Sequence, residues 1–311
     1  MRLRAALLAV SVLALVTPAR ADQPAAPIAA PVLTEVEPAL FAVRDADSTI
    51  YLFGTVHIRR PGSQWGGANA RAALAESDEV WTELEITDDA QARAQVLVLQ
   101  LGMAPSDQPL SGLLTAEENA KLNGLTQRLN VPSAMFERMR PWLAAITLSM
   151  MPMLQAGYET AAGVDNAIDA AAKALGKRTR AFETIEQQIG FLANLPTEVQ
   201  RQMLVDALSQ TEMGSEQVDT LSAAWEQGDI ATLERLVVED TRQQYPDVYR
   251  VLFADRNAAW MDVLARELGG SGVDFVAVGA GHMLGPDGLV EQFRARGVTV
   301  ECISPAGQAS H

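Results

Sequence analysis

The sequence predicts an α/β fold whose mixed central sheet comes from the N- and C-terminal parts of the chain, with a large helical middle layer or lid. Three observations predict it. Short runs rich in β-branched and aromatic residues lie near both ends, as in Ile50-Tyr51-Leu52-Phe53 and Val273 to Val278. The intervening stretch carries helical periodicity and helix-start signals instead. Two of the three histidines follow the end runs in matching tetrapeptides, Gly54-Thr55-Val56-His57 and Gly279-Ala280-Gly281-His282.

Arg2 and Arg4, the apolar stretch from Ala5 to Val16, and Ala19-Arg20-Ala21 form a signal-peptide pattern over residues 1–21, with cleavage expected after Ala21. The apolar stretch falls short of the about 20 residues a membrane span needs. Residues 22–31 are Ala/Pro-rich and read as a disordered tether, and 306–311 as a disordered tail. No linker interrupts 32–305, which reads as a single domain. Phe41-Ala42-Val43 and Thr49 to Phe53 flank a polar turn and predict a β-hairpin. A helix is expected from Ala68 to Ser77 and a strand from Glu79 to Ile86. Thr115 and Thr184 each open a capping box, and Pro141 stands near the start of an apolar helix from Arg140 to Gln155. Val164 to Leu175 reads as a helix, Lys177 to Phe182 as a strand, and the helix after Thr184 runs to Leu195. Helices are expected over Glu198 to Met213, Gln217 to Gln227, Ile230 to Thr241 and Asp255 to Leu268. The strand Val273 to Val278, a helix from Gly288 to Arg296 and a strand to Ile303 complete the chain. Each Gly-x-x-His strand is followed by a helix and another strand, a pattern compatible with a diverged internal repeat.

Hydrophobic residues make up 48% of the chain against 20% charged, enough to bury a sizeable core and to exclude disorder as the main state. The formal charge of −15 becomes −18 when residues 1–21, with three arginines and no acid, are removed. Nucleic acid and anionic membrane surfaces are therefore poor partners, and the expected partner is a peptide or small-molecule substrate; the oligomeric state stays open. Cys302 is the sole cysteine, so export requires no intramolecular disulfide, and a bacterial periplasm is the expected compartment. The default for Cys302 is a buried structural thiol.

A histidine just past a glycine-terminated strand stands in the crevice where open α/β sheets take ligands. His57 and His282 are thus candidate metal ligands for zinc, manganese, cobalt or iron, and hydrolytic sites usually add carboxylates to such histidines. Strand alternation puts Glu83 and Glu85 on one face, so either can reach the crevice, while Glu183 is a better candidate than Glu186, which suits a helix N-terminus. Arg256 and Asn257, early in their helix, are suited to orienting a carboxylate or binding a substrate carbonyl or phosphate, and Arg256 equally suits an ordinary surface ion pair. Trp65, Trp142 and Trp225 read as packing residues and His311 as solvated. There is no His-Glu-x-x-His helix, Gly-x-Ser-x-Gly elbow, Walker loop or Cys-x-x-Cys pair, and Leu284 stands where a dinucleotide loop needs its third glycine.

Leu52 to His57, Val80 to Leu84, Phe182 to Gln187, Arg256-Asn257 with Trp260, and Val278 to His282 with Gly285 and Gly288 resemble, in order, the motifs of the TraB/GumN family. That family includes the animal Tiki metalloproteases and is distantly similar to erythromycin esterases and to a haem-binding lipoprotein. The resemblance implies a metal-binding or catalytic centre containing His57, His282 and Glu83, with Glu183, Arg256 and Asn257 in further motifs. The leading expectation is a periplasmic metal-dependent hydrolase, a peptidase above all. Glu183 would serve as general base or as support, and Arg256 and Asn257 would stabilise an oxyanion or orient an acid. The alternatives are a non-catalytic haem- or metal-binding protein and a metal-free hydrolase with a histidine base.

Overall fold

The computed structural model describes residues 34–210 and 216–304. The expected signal peptide, tether, tail and His311 lie outside the described residues, as does the end of the helix expected to reach Met213. The sheet is mixed and six-stranded, β1 Leu40–Arg44, β2 Ser48–Thr55, β3 Glu79–Thr82, β4 Arg178–Ala181, β5 Gly272–Gly279 and β6 Val300–Ser304, in the order β4-β3-β5-β2-β1-β6. Asp45 closes the β1–β2 hairpin, its carboxylate accepting from the amides of Asp47 and Ser48. β1 is antiparallel to β2 and β6, whereas β4, β3, β5 and β2 run parallel. Buried aliphatic and aromatic residues of β1, β2 and β5 form the centre of a core that extends into the helices.

Apolar runs with short caps give the helices. The capping boxes at Thr115 and Thr184 are both formed, opening Ala116–Arg128 and Ile185–Ala193. Pro141 begins the helix Pro141–Gln155, where the missing amide hydrogen costs nothing. Several boundaries differ from expectation. The strand expected to reach Ile86 ends at Thr82, where the Thr82 hydroxyl donates to the Leu84 carbonyl at 2.8 Å and bends the chain. The helix Asp88–Gly102, capped by Thr87, was not anticipated. The helix Asp255–Leu268 has the expected bounds, with Arg256 and Asn257 in its first turn, and a π-helical segment, Arg250–Ala254, joins it to the short helix Pro246–Tyr249. The two Gly-x-x-His strands are not topologically equivalent: from β2 the chain crosses one strand to reach β3, and from β5 it crosses two to reach β6.

Candidate active site

Each of the four parallel strands delivers one site residue to the same edge of the sheet. β2 and β5 pair with Thr55 opposite Gly279, so His57 and His282, two and three residues further on, emerge side by side. β3 pairs with β5 and β4 through Thr82, opposite Ala277 and Ala181. The ladder with the chain after β4 continues past the strands: the amides of Phe182 and Glu183 donate to the carbonyls of Thr82 and Glu83 at 3.0 Å each. Glu183, Glu83, His282 and His57 therefore stand in strand order across the C-terminal edge. Glycine lets the two histidine loops approach, since a Cβ on Gly54 would stand 2.8 Å from Ala280 Cα. A Cβ on Gly281 would meet Phe253 Cε1 at 2.6 Å and Val237 Cγ1 at 2.9 Å.

The centre is sealed from solvent, with His57 at 1%, His282 at 0%, Glu83 at 2% and Arg256 at 3% exposure. Arg256 links the two glutamates. Its Nη2 donates to Glu83 Oε2 at 2.6 Å and Glu183 Oε2 at 2.8 Å, and its Nε donates to Glu183 Oε1 at 2.8 Å. The indole of Trp260 donates to Glu183 Oε1 at 2.9 Å, and its ring packs beneath the guanidinium. Glu83 Oε1 accepts from the Gly279 amide at 2.7 Å. Burial pushes the Glu83 carboxyl up, but Arg256, the two imidazoles and the Gly279 amide outweigh it and hold it well below the usual carboxylate range. Burial also works against the Arg256 cation, which the two carboxylates hold charged.

Both imidazoles are held through Nδ1. His57 Nδ1 lies 2.6 Å from Asp165 Oδ2, and Thr55 donates to the other Asp165 oxygen at 2.6 Å. The Asn257 amide is oriented by Nδ2, which donates to the carbonyls of His282 and Asp287, so its Oδ1, 2.6 Å from His282 Nδ1, accepts. His282 thus carries its proton on Nδ1. Burial, then the Arg256 charge, push its pKa well below the ordinary imidazole value and keep the ring neutral. Both Nε2 atoms face Glu83 Oε1, each at 3.9 Å.

The structure brings together all six predicted site residues. Of the doubtful pairs it separates Glu83 from exposed Glu85, because the strand ends before alternation can place both on one face, and Glu183 from Glu186, which pairs at the surface with Arg93. Trp142 and Trp225 are buried packing residues, and Cys302 is half-buried with its thiol pushed up by burial. Two site residues were missed. Asp165 resembles any acid in the first turn of a helix, here Val164–Ala174, and Gln188, whose side chain donates to Glu83 at 3.1 Å and Glu183 at 2.9 Å, resembles any polar helix residue. Only their contacts identify them.

Two imidazoles and a carboxylate are the donor types of manganese, cobalt and zinc sites, and a ring anchored through Nδ1 to an acceptor is the usual support of such a ligand. Two carboxylates on one guanidinium, with a third, Asp165, on His57, also leave an excess of negative charge that suits a cation. The donor chemistry fits. The spacing is looser: among the described residues no group of three or more His, Cys, Asp or Glu is set to hold an ion, and Arg256 Nη1 lies 3.0 Å from His282 Nε2, holding its lone pair. His282 would join a metal shell only with that guanidinium nitrogen turned away.

No curated protein matches the chain. The model of the TraB/PrgY/gumN family matches residues 39–302, a span that contains every site residue described above, and the chain belongs to that family.

Proposed function

We propose that the protein is a periplasmic metal-dependent hydrolase, acting by preference on peptide bonds, with a divalent ion such as manganese, cobalt or zinc held by His57, His282 and Glu83. The observation that carries this reading is the convergence of both Nε2 atoms on Glu83 Oε1, with each ring fixed through its other nitrogen. When bound, the ion would polarise the scissile carbonyl and bring a water towards neutral pKa. Asp165 and Thr55 hold the His57 ring, and Asn257 holds that of His282. Glu183 is committed to Arg256, Trp260 and Gln188, which favours a supporting role for it over that of general base. Arg256 helps keep Glu83 ionised, and its Nη1 reaches the His282 imidazole, where it can meet a developing oxyanion. Export rests on the signal pattern in residues 1–21.

The contact between Arg256 and His282 favours a second reading, metal-free hydrolysis in which His57, oriented by Asp165, takes the proton from water. Elemental mass spectrometry on untagged mature protein, with a peptide-library assay before and after chelation, separates the two. Near-stoichiometric metal, lost in His57→Ala and His282→Ala together with activity, is the expected result. Wild type that takes up none of the three metals would sink the first reading, and hydrolysis that survives chelation would support the second.

A further inference from the structure

A cavity of about 50 Å³ lies against His57 and Gly281 at the C-terminal edge of β2 and β5. Ile58 supplies one wall. Val218 and Leu221 on the helix Glu216–Glu226, with Leu233 and Val237 on the helical run 230–244, supply most of the apolar lining, and Thr55, Tyr158 and Ser222 add hydroxyl groups. Among the described residues the cavity is lined by no Asp, Glu, Lys or Arg, in a chain whose formal charge is −15. A charged group entering it would shed its water with no carboxylate, ammonium or guanidinium partner among the described lining residues, a cost that a hydrocarbon group escapes. Size narrows the choice further. The volume exceeds the roughly 10–15 Å³ that one water molecule needs and is well short of the roughly 150 Å³ that accommodates benzene.

We infer that this cavity is a substrate side-chain pocket that accepts an aliphatic group of methyl to isopropyl size beside the reacting carbonyl. The preferred substrates then carry an Ala- or Val-like residue there, and aromatic or charged residues are rejected. The inference rests on the hydrolase reading for the identity of the occupant, but the pocket can be probed without turnover.

Isobutyramide and phenylacetamide carry an isopropyl and a benzyl group on the same amide, and ligand-detected NMR gives the affinity of each for the intact mature protein. Isobutyramide should bind at least about 10-fold more tightly, since a single misfit methylene in an apolar pocket is worth 10- to 200-fold. Val237→Ala, which enlarges the pocket, should bring the two amides towards parity, and Val218→Ile, which narrows it, should weaken isobutyramide; circular dichroism establishes that each variant is folded. Equal binding of the two amides, no detectable isobutyramide binding, or a preference unmoved in both folded variants overturns the inference. Hydrolysis of N-acetyl aminoacyl anilides is measured separately. Turnover with no preference for Ala or Val also overturns the pocket. Selective isobutyramide binding without any turnover supports the pocket and counts against the hydrolase reading instead.

Discussion

Arg256 holds the largest share of the site's electrostatics, because among the described residues it is the only Lys or Arg that touches Glu83 and Glu183, and all three are buried. Arg256→Ala would leave two carboxylates in a sealed site with no counter-charge. Removing one partner of a buried pair costs about 3–5 kcal/mol, and chemical denaturation should register a loss of that size. A loss of under about 1 kcal/mol would mean that the carboxylates escape the penalty by taking up protons. Asp165 is the other decisive residue. Its carboxylate can only accept, so it keeps the His57 proton on Nδ1, whereas an amide can turn its NH₂ towards the ring and reverse the tautomer. On the metal reading, Asp165→Asn should weaken ion affinity by about 10- to 100-fold in a competition titration against a chromophoric chelator. Unchanged affinity would remove Asp165 from the site. His57 and His282 are legible in the sequence because a repeated tetrapeptide in a histidine-poor chain is uncommon. Asp165 is not, because its significance lies in a contact across 108 positions in sequence.

The strands do more to assemble the site than any single contact. Parallel pairing of β2 with β5 fixes His57 relative to His282, and pairing of β3 with β4 fixes Glu83 relative to Glu183. The strand runs near both chain ends carried this much in the sequence, since apolar β-branched segments closed by glycine can be read locally. Strand order and the length of β3 were not readable, because Thr82 ends that strand through a side-chain hydrogen bond that no periodicity records. The helix carrying Arg256 was readable from Asp255, whereas the segment leading into it was hidden for a related reason: its π-helical geometry disrupts the 3.6-residue pattern over Arg250–Ala254. Gly54→Ala tests the arrangement of the strands. The added methyl would stand 2.8 Å from a backbone atom, Ala280 Cα, which cannot rotate away, so the ends of β2 and β5 must part. Overpacking of this kind costs about 1–3 kcal/mol. The variant should melt earlier and also lose metal or activity, because the strain falls directly between the two histidine loops. A normal site in a less stable protein would show that the loops are positioned independently of the strand ends.

At the scale of the whole molecule, the acid excess that argues against anionic partners also acts on the sheet itself. Asp274 on β5 is half-buried, and its pKa is raised to about 6, first by burial and then by the charges of Glu267, Glu79 and Asp78. Arg178 and Arg180 both pair with Glu79, and Asp274 gives the strand a carboxylate that folding disfavours in its charged form. An acid whose folded-state pKa lies above its unfolded value binds more protons when folded. Its folding contribution is therefore most favourable below the unfolded value of 3.8 and is lost as pH rises through about 6. The displacement would be worth about 3 kcal/mol for a sealed group, and the water reaching Asp274 trims it to about 1 kcal/mol. Asp274→Asn removes the charge at similar size, so it should raise stability at pH 7 by about 1 kcal/mol, with the gain shrinking as pH falls towards 4. Added salt should shrink the part of the gain that comes from Glu267, Glu79 and Asp78, while leaving the part that comes from burial. Urea unfolding of both proteins between pH 4 and 8 measures the difference, and a gain that stays constant with pH would show that Asn stabilises the strand by some route other than the lost charge.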